Sequence, residues 1–151
     1  MMKAFQKILI ATDFSDCSEE ACAYALSLAR KFDASLVVLH VINEPVDLRG
    51  FYVPHISFDE LEKEIAAGAA TMLKTFCADN LADFANYSTS IVTGVPYEEI
   101  TRIAKEQDVS LIVIGTHGRS GLDHLIFGST AERVVRSAPC PVLTIRLASA
   151  I

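Results

Sequence analysis

The chain has 151 residues, about half of them apolar, with 13 Lys and Arg against 19 Asp and Glu and a formal charge of −6. One domain, residues 1–151, is the expectation at this length, and it is large enough to bury a core without disulfide or metal staples. The acidic balance excludes a partner held by its phosphate backbone, so no nucleic acid is expected, and no apolar run reaches the ~20 residues of a membrane span.

The early stretch KILIA is too short for a signal-peptide core and runs into charged residues, which makes the cytoplasm the expected compartment. Cys17, Cys22, Cys77 and Cys140 have neither CxxC nor Cys/His zinc spacing, and packed, reduced thiols are expected. Cys17 is the exception to watch, because it falls at a predicted helix N-terminus, where a thiolate is favoured.

Lys7 to Ala11 (KILIA) reads as a short strand buried on both faces. Asp16 and Glu19 then stand at capping-box spacing, and Ala21, Ala25, Leu28 and Phe32 follow on one helical face. Ser35 to Ile42 (SLVVLHVI) is a second two-faced apolar strand. Residues 43 to 57 carry Pro45, Gly50 and Pro54 without periodicity and predict a long loop, a candidate lid or contact surface. Ser57 with Glu60 forms a capping box before a helix whose inner face is Phe58, Leu61, Ile65, Ala69, Met72 and Phe76.

Tyr87 to Thr93 (YSTSIVT) is a third strand, polar enough to lie near an edge. Gly94 and Pro96 open another helix, with Glu98 and Glu99 in its first turn and Ile100, Ile103 and Ala104 inward. Leu111 to Ile114 (LIVI) is the fourth strand. Ser129 and Glu132 predict a capping box for a last helix through Ala131, Val134, Val135 and Ala138, which Pro139 and Pro141 end. Val142 to Leu147 (VLTIRL) is the fifth strand. Strict alternation of strand and helix predicts a doubly wound, open five-stranded parallel sheet with helices on both faces, a Rossmann-like α/β fold. Ligands bind such sheets beyond the carboxyl ends of the strands, which points to residues just past strands one, two and four.

Residues 115–130, GTHGRSGLDHLIFGST, hold four of the seven glycines. A P-loop needs a Gly-Lys pair, and the chain has none. A dinucleotide fingerprint belongs after the first strand, where the sequence is ATDFSD. The remaining pattern is Gly115, Gly118, then Gly128 before Ser129. Glycines without Cβ let backbone N–H groups approach phosphate oxygens, a helix N-terminus adds unpaired donors, and Arg119 can add a charge. The plainer reading, a turn followed by an N-cap serine, fits the same residues. Asp13, just past the first strand, can accept hydrogen bonds from ribose hydroxyls, or can close an Asx turn. Val41, at the end of the second strand, can wall a base or belong to the core.

Together ILIATDFSD, LVVLHVI, LIVIGTHGRSG and FGST…APCPVLTI resemble the nucleotide-binding subgroup of the universal stress proteins over nearly the whole chain. Gly115, Gly118, Gly128 and Ser129 meet that subgroup's G-x2-G-x9-G-[ST] signature. The resemblance implies a parallel sheet in order 3-2-1-4-5. It also implies that Ala11, Thr12, Asp13 and Val41 hold adenosine, while Gly115, Thr116, His117, Gly118, Arg119, Gly128, Ser129 and Thr130 wrap the phosphates. ATP is the implied ligand, with ADP or AMP as alternatives and Mg2+ or Mn2+ accompanying the triphosphate. An apolar edge strand at Val142 to Leu147 implies a homodimer. Asp123 and His124 depart from the family, whose members often carry basic residues there.

Three functions follow from these residues. The first is a regulatory protein that binds ATP and reports stress or energy state to a protein partner. The second is a slow, metal-dependent ATPase or phosphotransfer enzyme, for which His117 and His124 are the only general-base candidates in the loop. The third is a nucleotide-free dimeric adaptor. Binding is better supported than catalysis, because the loop has no lysine and no carboxylate placed to orient water.

Overall fold

The computed structural model describes residues 4–43, 58–117 and 127–147. Its strands are β1 (Lys7–Ala11), β2 (Ser35–Ile42), β3 (Tyr87–Thr93), β4 (Leu111–Gly115) and β5 (Val142–Ile145). Between them lie helices α1 (Asp16–Phe32), α2 (Phe58–Asn80), α3 (Pro96–Glu106) and α4 (Ser129–Ser137). The sheet order is β3-β2-β1-β4-β5, and every pairing is parallel. Among the described residues no helix is long and apolar enough to cross a membrane. Of the expected features, Ser57, Gly118, Arg119, Asp123, His124 and the loop beyond Asn43 lie outside the described residues.

The two-faced apolar strands do what their composition demands. On one face Ile8, Ile10, Leu36, Val38, Leu111 and Val113 meet α1 and α2. On the other, Leu9, Val37, Leu39, Ile112 and Ile114 meet α3 and α4. The period-two alternation of strand side chains sorts them into these layers. Ile8, Leu9 and Ile10 of the central strand have no exposed surface. The stripe of α1 is made of small residues, Ala21, Cys22, Ala25 and Ala29, all fully buried, so this helix lies close on the sheet.

Several element ends differ from the sequence reading. Ser15, not Asp16, caps α1, its hydroxyl accepting from the Ser18 N–H at 3.3 Å. In α2 the buried residues are Ala69, Leu73, Phe76 and Cys77, while Met72 is half exposed. With 100° per residue, Met72 falls on the rim of the stripe that these four define. β5 stops at Ile145, because its neighbour β4 ends at Gly115, the partner of Ile145, and Arg146 and Leu147 have no strand to pair with.

The cysteines are free, and three of the four are buried. Burial, with smaller contributions from Cys77 and Glu19, pushes the Cys22 thiol from 9.0 up to about 12. A thiol raised by folding contributes stability below its ordinary value and loses it as pH climbs through the raised one, because the unfolded chain ionises first. Wild-type stability should therefore fall from about pH 9.0 toward 12 more steeply than that of Cys22→Ala. Parallel pH profiles in chemical denaturation would remove Cys22 as the cause.

Candidate functional site

At the carboxyl end of β1 the chain leaves the sheet through Thr12-Asp13-Phe14-Ser15, and short-range hydrogen bonds set its path. The Thr12 N–H still donates to the Leu39 carbonyl of β2 at 2.9 Å. Its hydroxyl accepts from the Phe14 N–H at 3.0 Å and pairs with the Ser18 hydroxyl at 3.0 Å. Ser18 commits its own O–H to the Ser15 carbonyl, so Thr12 is the donor in that pair. Asp13 Oδ1 accepts from both the N–H and the hydroxyl of Ser15. The Asx turn foreseen as the plainer role of Asp13 is thus present. It leaves the ribose role open, since a carboxylate offers about four lone-pair sites.

Across the crevice, β4 runs into Gly115 and Thr116. The Thr116 N–H donates to the Ile145 carbonyl of β5 at 2.9 Å, and the Thr116 carbonyl accepts from the Gly128 N–H. Gly128 brings the chain back against Thr116 so closely that an added Cβ would lie 3.0 Å from the Thr116 carbonyl oxygen. That is the return to one spot expected of this glycine. Gly115 has a different reason from the one expected. A Cβ there would meet Cys17 Sγ at 2.7 Å and the Cys17 carbonyl at 3.2 Å. The glycine is required by the first turn of α1, so a side chain would grow into that helix and not toward the crevice. Cys17 itself is buried, its thiol donating to the Ile145 carbonyl at 3.4 Å. It is a packed S–H donor, so the cysteine singled out for its place at a helix N-terminus lies buried like Cys22 and Cys77.

The start of α4 also differs. Gly128 is the N-cap, at φ −71° and ψ 160°, and its carbonyl takes the first helical bond from the Glu132 N–H at 3.1 Å. Ser129 is the first helical residue and closes no capping box. A glycine cap offers no side-chain oxygen to the first-turn N–H groups of Ser129, Thr130 and Ala131, the donors that favour an anion. The Arg133 guanidinium lies 5.2 Å from the centre of the Tyr97 ring, tying α4 to α3 beside this opening.

These elements enclose a cleft of about 530 Å³. Ten of the twelve predicted site residues line it: Ala11, Thr12, Asp13 and Val41 on one side, with Gly115, Thr116, His117, Gly128, Ser129 and Thr130 on the other. Its size suits a small organic ligand. Sequence reasoning missed its floor and one wall, Leu39, Ile114, Pro96 and Ile100, together with Asn43 at the end of β2. Pro96 and Ile100 read as a helix start and a core position. Only the order of the sheet brings the N-terminus of α3 beside Val41. The His117 ring is drawn back along the chain, Nδ1 lying 3.0 Å from the Thr116 hydroxyl. Among the described residues no cluster of three or more His, Cys, Asp or Glu could hold a metal ion. A larger hollow of about 770 Å³ between α2 and β3 lies toward the amino end of β3, away from the carboxyl ends of the strands.

The Universal stress protein family profile matches residues 4–146. The chain is 37% identical over 147 residues to universal stress protein YxiE of Bacillus subtilis, covering 94% of this chain and 99% of that one. The solved structure of MJ0577, from Methanocaldococcus jannaschii, is 27% identical with a TM-score of 0.83, covering 96% of this chain and 98% of that one. A universal stress protein solved in complex with cAMP is 21% identical with a TM-score of 0.71, covering 95% and 98%. At that identity the likeness concerns the fold.

Proposed function

The chain belongs to the universal stress protein family, and from that premise we propose that it is an ATP-binding regulatory protein of the cytoplasm, acting in stress or energy-state response as a homodimer. One observation carries the reading. The Asp13 turn and the glycine-capped N-terminus of α4 face each other across a single cleft at the carboxyl ends of β1 and β4. The neighbour solved with cAMP gives an adenine nucleotide its precedent in this fold.

In this reading the base lies against Val41, Pro96 and Ile100, the ribose hydroxyls donate to Asp13, and the phosphates lie at the first turn of α4. Among the described residues that line the cleft, Asp13 is the single carboxylate. A Mg2+ or Mn2+ ion accompanying the triphosphate would take its ligands from phosphate and water, since Asp13 is engaged by the ribose. Calorimetry with ATP, joined to mass spectrometry of whatever nucleotide denatured protein releases, tests the reading. Neither bound nucleotide nor a heat of binding at millimolar ATP would leave the adaptor role standing. Metal-dependent ADP release above the protein-free rate would make the chain an ATPase.

The open edge of β5 is the proposed dimer seam. Ile112 of β4 donates to the carbonyl of Pro141, just before β5, and Thr116, just past β4, donates to that of Ile145, so the odd residues of β5 face β4. Thr144 therefore presents its N–H and carbonyl to the open edge. Leu143 and Ile145 pack into the core, and charging them would test folding instead of assembly. Thr144→Pro removes an edge donor while sparing the ladder to β4, and should give monomers in sedimentation. A Thr144→Pro dimer of wild-type strength would place the seam elsewhere.

A further inference from the structure

His40 sits in β2 with 5% of its surface exposed, an imidazole in the apolar run from Leu36 to Ile42. Its neighbour Val41 points into the cleft; by strand alternation the ring points to the opposite face, beneath the turn that follows β1. There His40 Nδ1 lies 2.8 Å from the Thr12 carbonyl oxygen. A carbonyl can only accept, so Nδ1 carries the proton.

The same ring supports the next strained position. Phe14 holds φ at 68°, the left-handed region that a bulky L-residue rarely enters. Its ring lies against that of His40, centroids 4.4 Å apart and planes tilted by 35°, and meets Phe76 edge-on at 6.1 Å. Between Thr12 and Phe14 lies Asp13. One imidazole thus holds the residue before the cleft carboxylate by a hydrogen bond and the residue after it by ring contact.

We propose that His40 is a positioning residue for the nucleoside half of the cleft: its Nδ1–H and ring face fix the Thr12–Phe14 turn, and thereby the Asp13 carboxylate, without touching the ligand. The proposal rests on the nucleotide-binding reading for its effect on affinity, but its effect on the turn does not. If loss of the donor leaves the turn native for a tenth of the time, apparent ATP affinity falls about tenfold, because only the competent fraction binds.

Three measurements test it. In the wild-type imidazole nitrogen spectrum His40 should be protonated at Nδ1; a ring protonated at Nε2 alone overturns the proposal without any variant. In nucleotide-free protein, His40→Phe keeps a ring and removes the donor, so the Phe14 and Ser15 amides should exchange with solvent at least about tenfold faster. His40→Asn places an amide N–H near the position of Nδ1 and should restore most of that protection. ATP affinity should fall about tenfold in His40→Phe and recover to within about threefold in His40→Asn. Wild-type protection and affinity in His40→Phe, or equal losses in both variants, would refute the donor role. A wild-type protein that binds no ATP would instead sink the nucleotide reading, while the exchange data still decide what His40 does.

Discussion

Gly115→Ala should lower the melting temperature while leaving the other cleft residues chemically intact. The new Cβ would start 2.7 Å from Cys17 Sγ, a separation that nonbonded atoms do not tolerate, and 3.2 Å from the Cys17 carbonyl carbon and oxygen. Backbone cannot yield easily there, because the Cys17 thiol is bonded to Ile145 and the helix behind it lies flat on the sheet through a stripe of alanines. Overpacking of this kind costs about 1–3 kcal/mol. For a chain of this size that is a fall in Tm of roughly 2–12 °C. If Cys17 is the obstacle, Cys17→Ala should relieve part of the damage, with a coupling of about 0.5–2 kcal/mol in the double-mutant cycle. Strict additivity of the two changes in thermal melts would return Gly115 to the phosphate-approach role that its place in the signature first suggested.

That glycine also marks where sequence reading stops. The sheet was legible because KILIA, SLVVLHVI and LIVI are apolar on both faces along nearly their whole length, which only a strand covered on both faces tolerates. YSTSIVT announced its edge position by its hydroxyls. The site followed from topology, since ligands of such sheets gather at the strand ends, and spacing alone placed Gly128 beside the start of α4. What could not be read was any reason that depends on a distant partner. Nothing near Gly115 in sequence names Cys17 as the atom it must avoid. Nothing in LVVLHVI separates His40, under the β1 turn, from the apolar residues around it. Caps shifted by one residue for a local reason: Ser15-Asp16 and Gly128-Ser129 each put two competent N-cap residues side by side. Backbone geometry chose the first of each pair, and in doing so left Ser129 as a helical residue on the cleft wall.

The sharpest test of the nucleotide reading is Asp13→Asn set against Asp13→Ala. Asp13 Oδ1 accepts from Ser15, so alanine deletes the Asx turn together with any ligand contact. Asparagine keeps a carbonyl oxygen for the Ser15 N–H while removing the charge and turning the second oxygen into an NH2 donor. Asp13→Asn should therefore melt close to wild type, whereas Asp13→Ala should lose about 0.5–2 kcal/mol, the usual cost of removing such a side-chain acceptor. Hydrogen bonds to a charged acceptor contribute about 1.5–3 kcal/mol, so ATP affinity should fall about 10- to 150-fold in Asp13→Asn if the ribose hydroxyls donate to the carboxylate. A sugar without those hydroxyls should remove the difference: wild type and Asp13→Asn should bind 2′,3′-dideoxy-ATP alike. The opposite sign is informative as well. Were Asp13 to face the phosphates, removing its charge would relieve repulsion, and Asp13→Asn would bind ATP more tightly than wild type. Affinity indistinguishable from wild type by titration calorimetry would confine Asp13 to its turn, and the adenosine half of the cleft would have to be sought elsewhere on its wall.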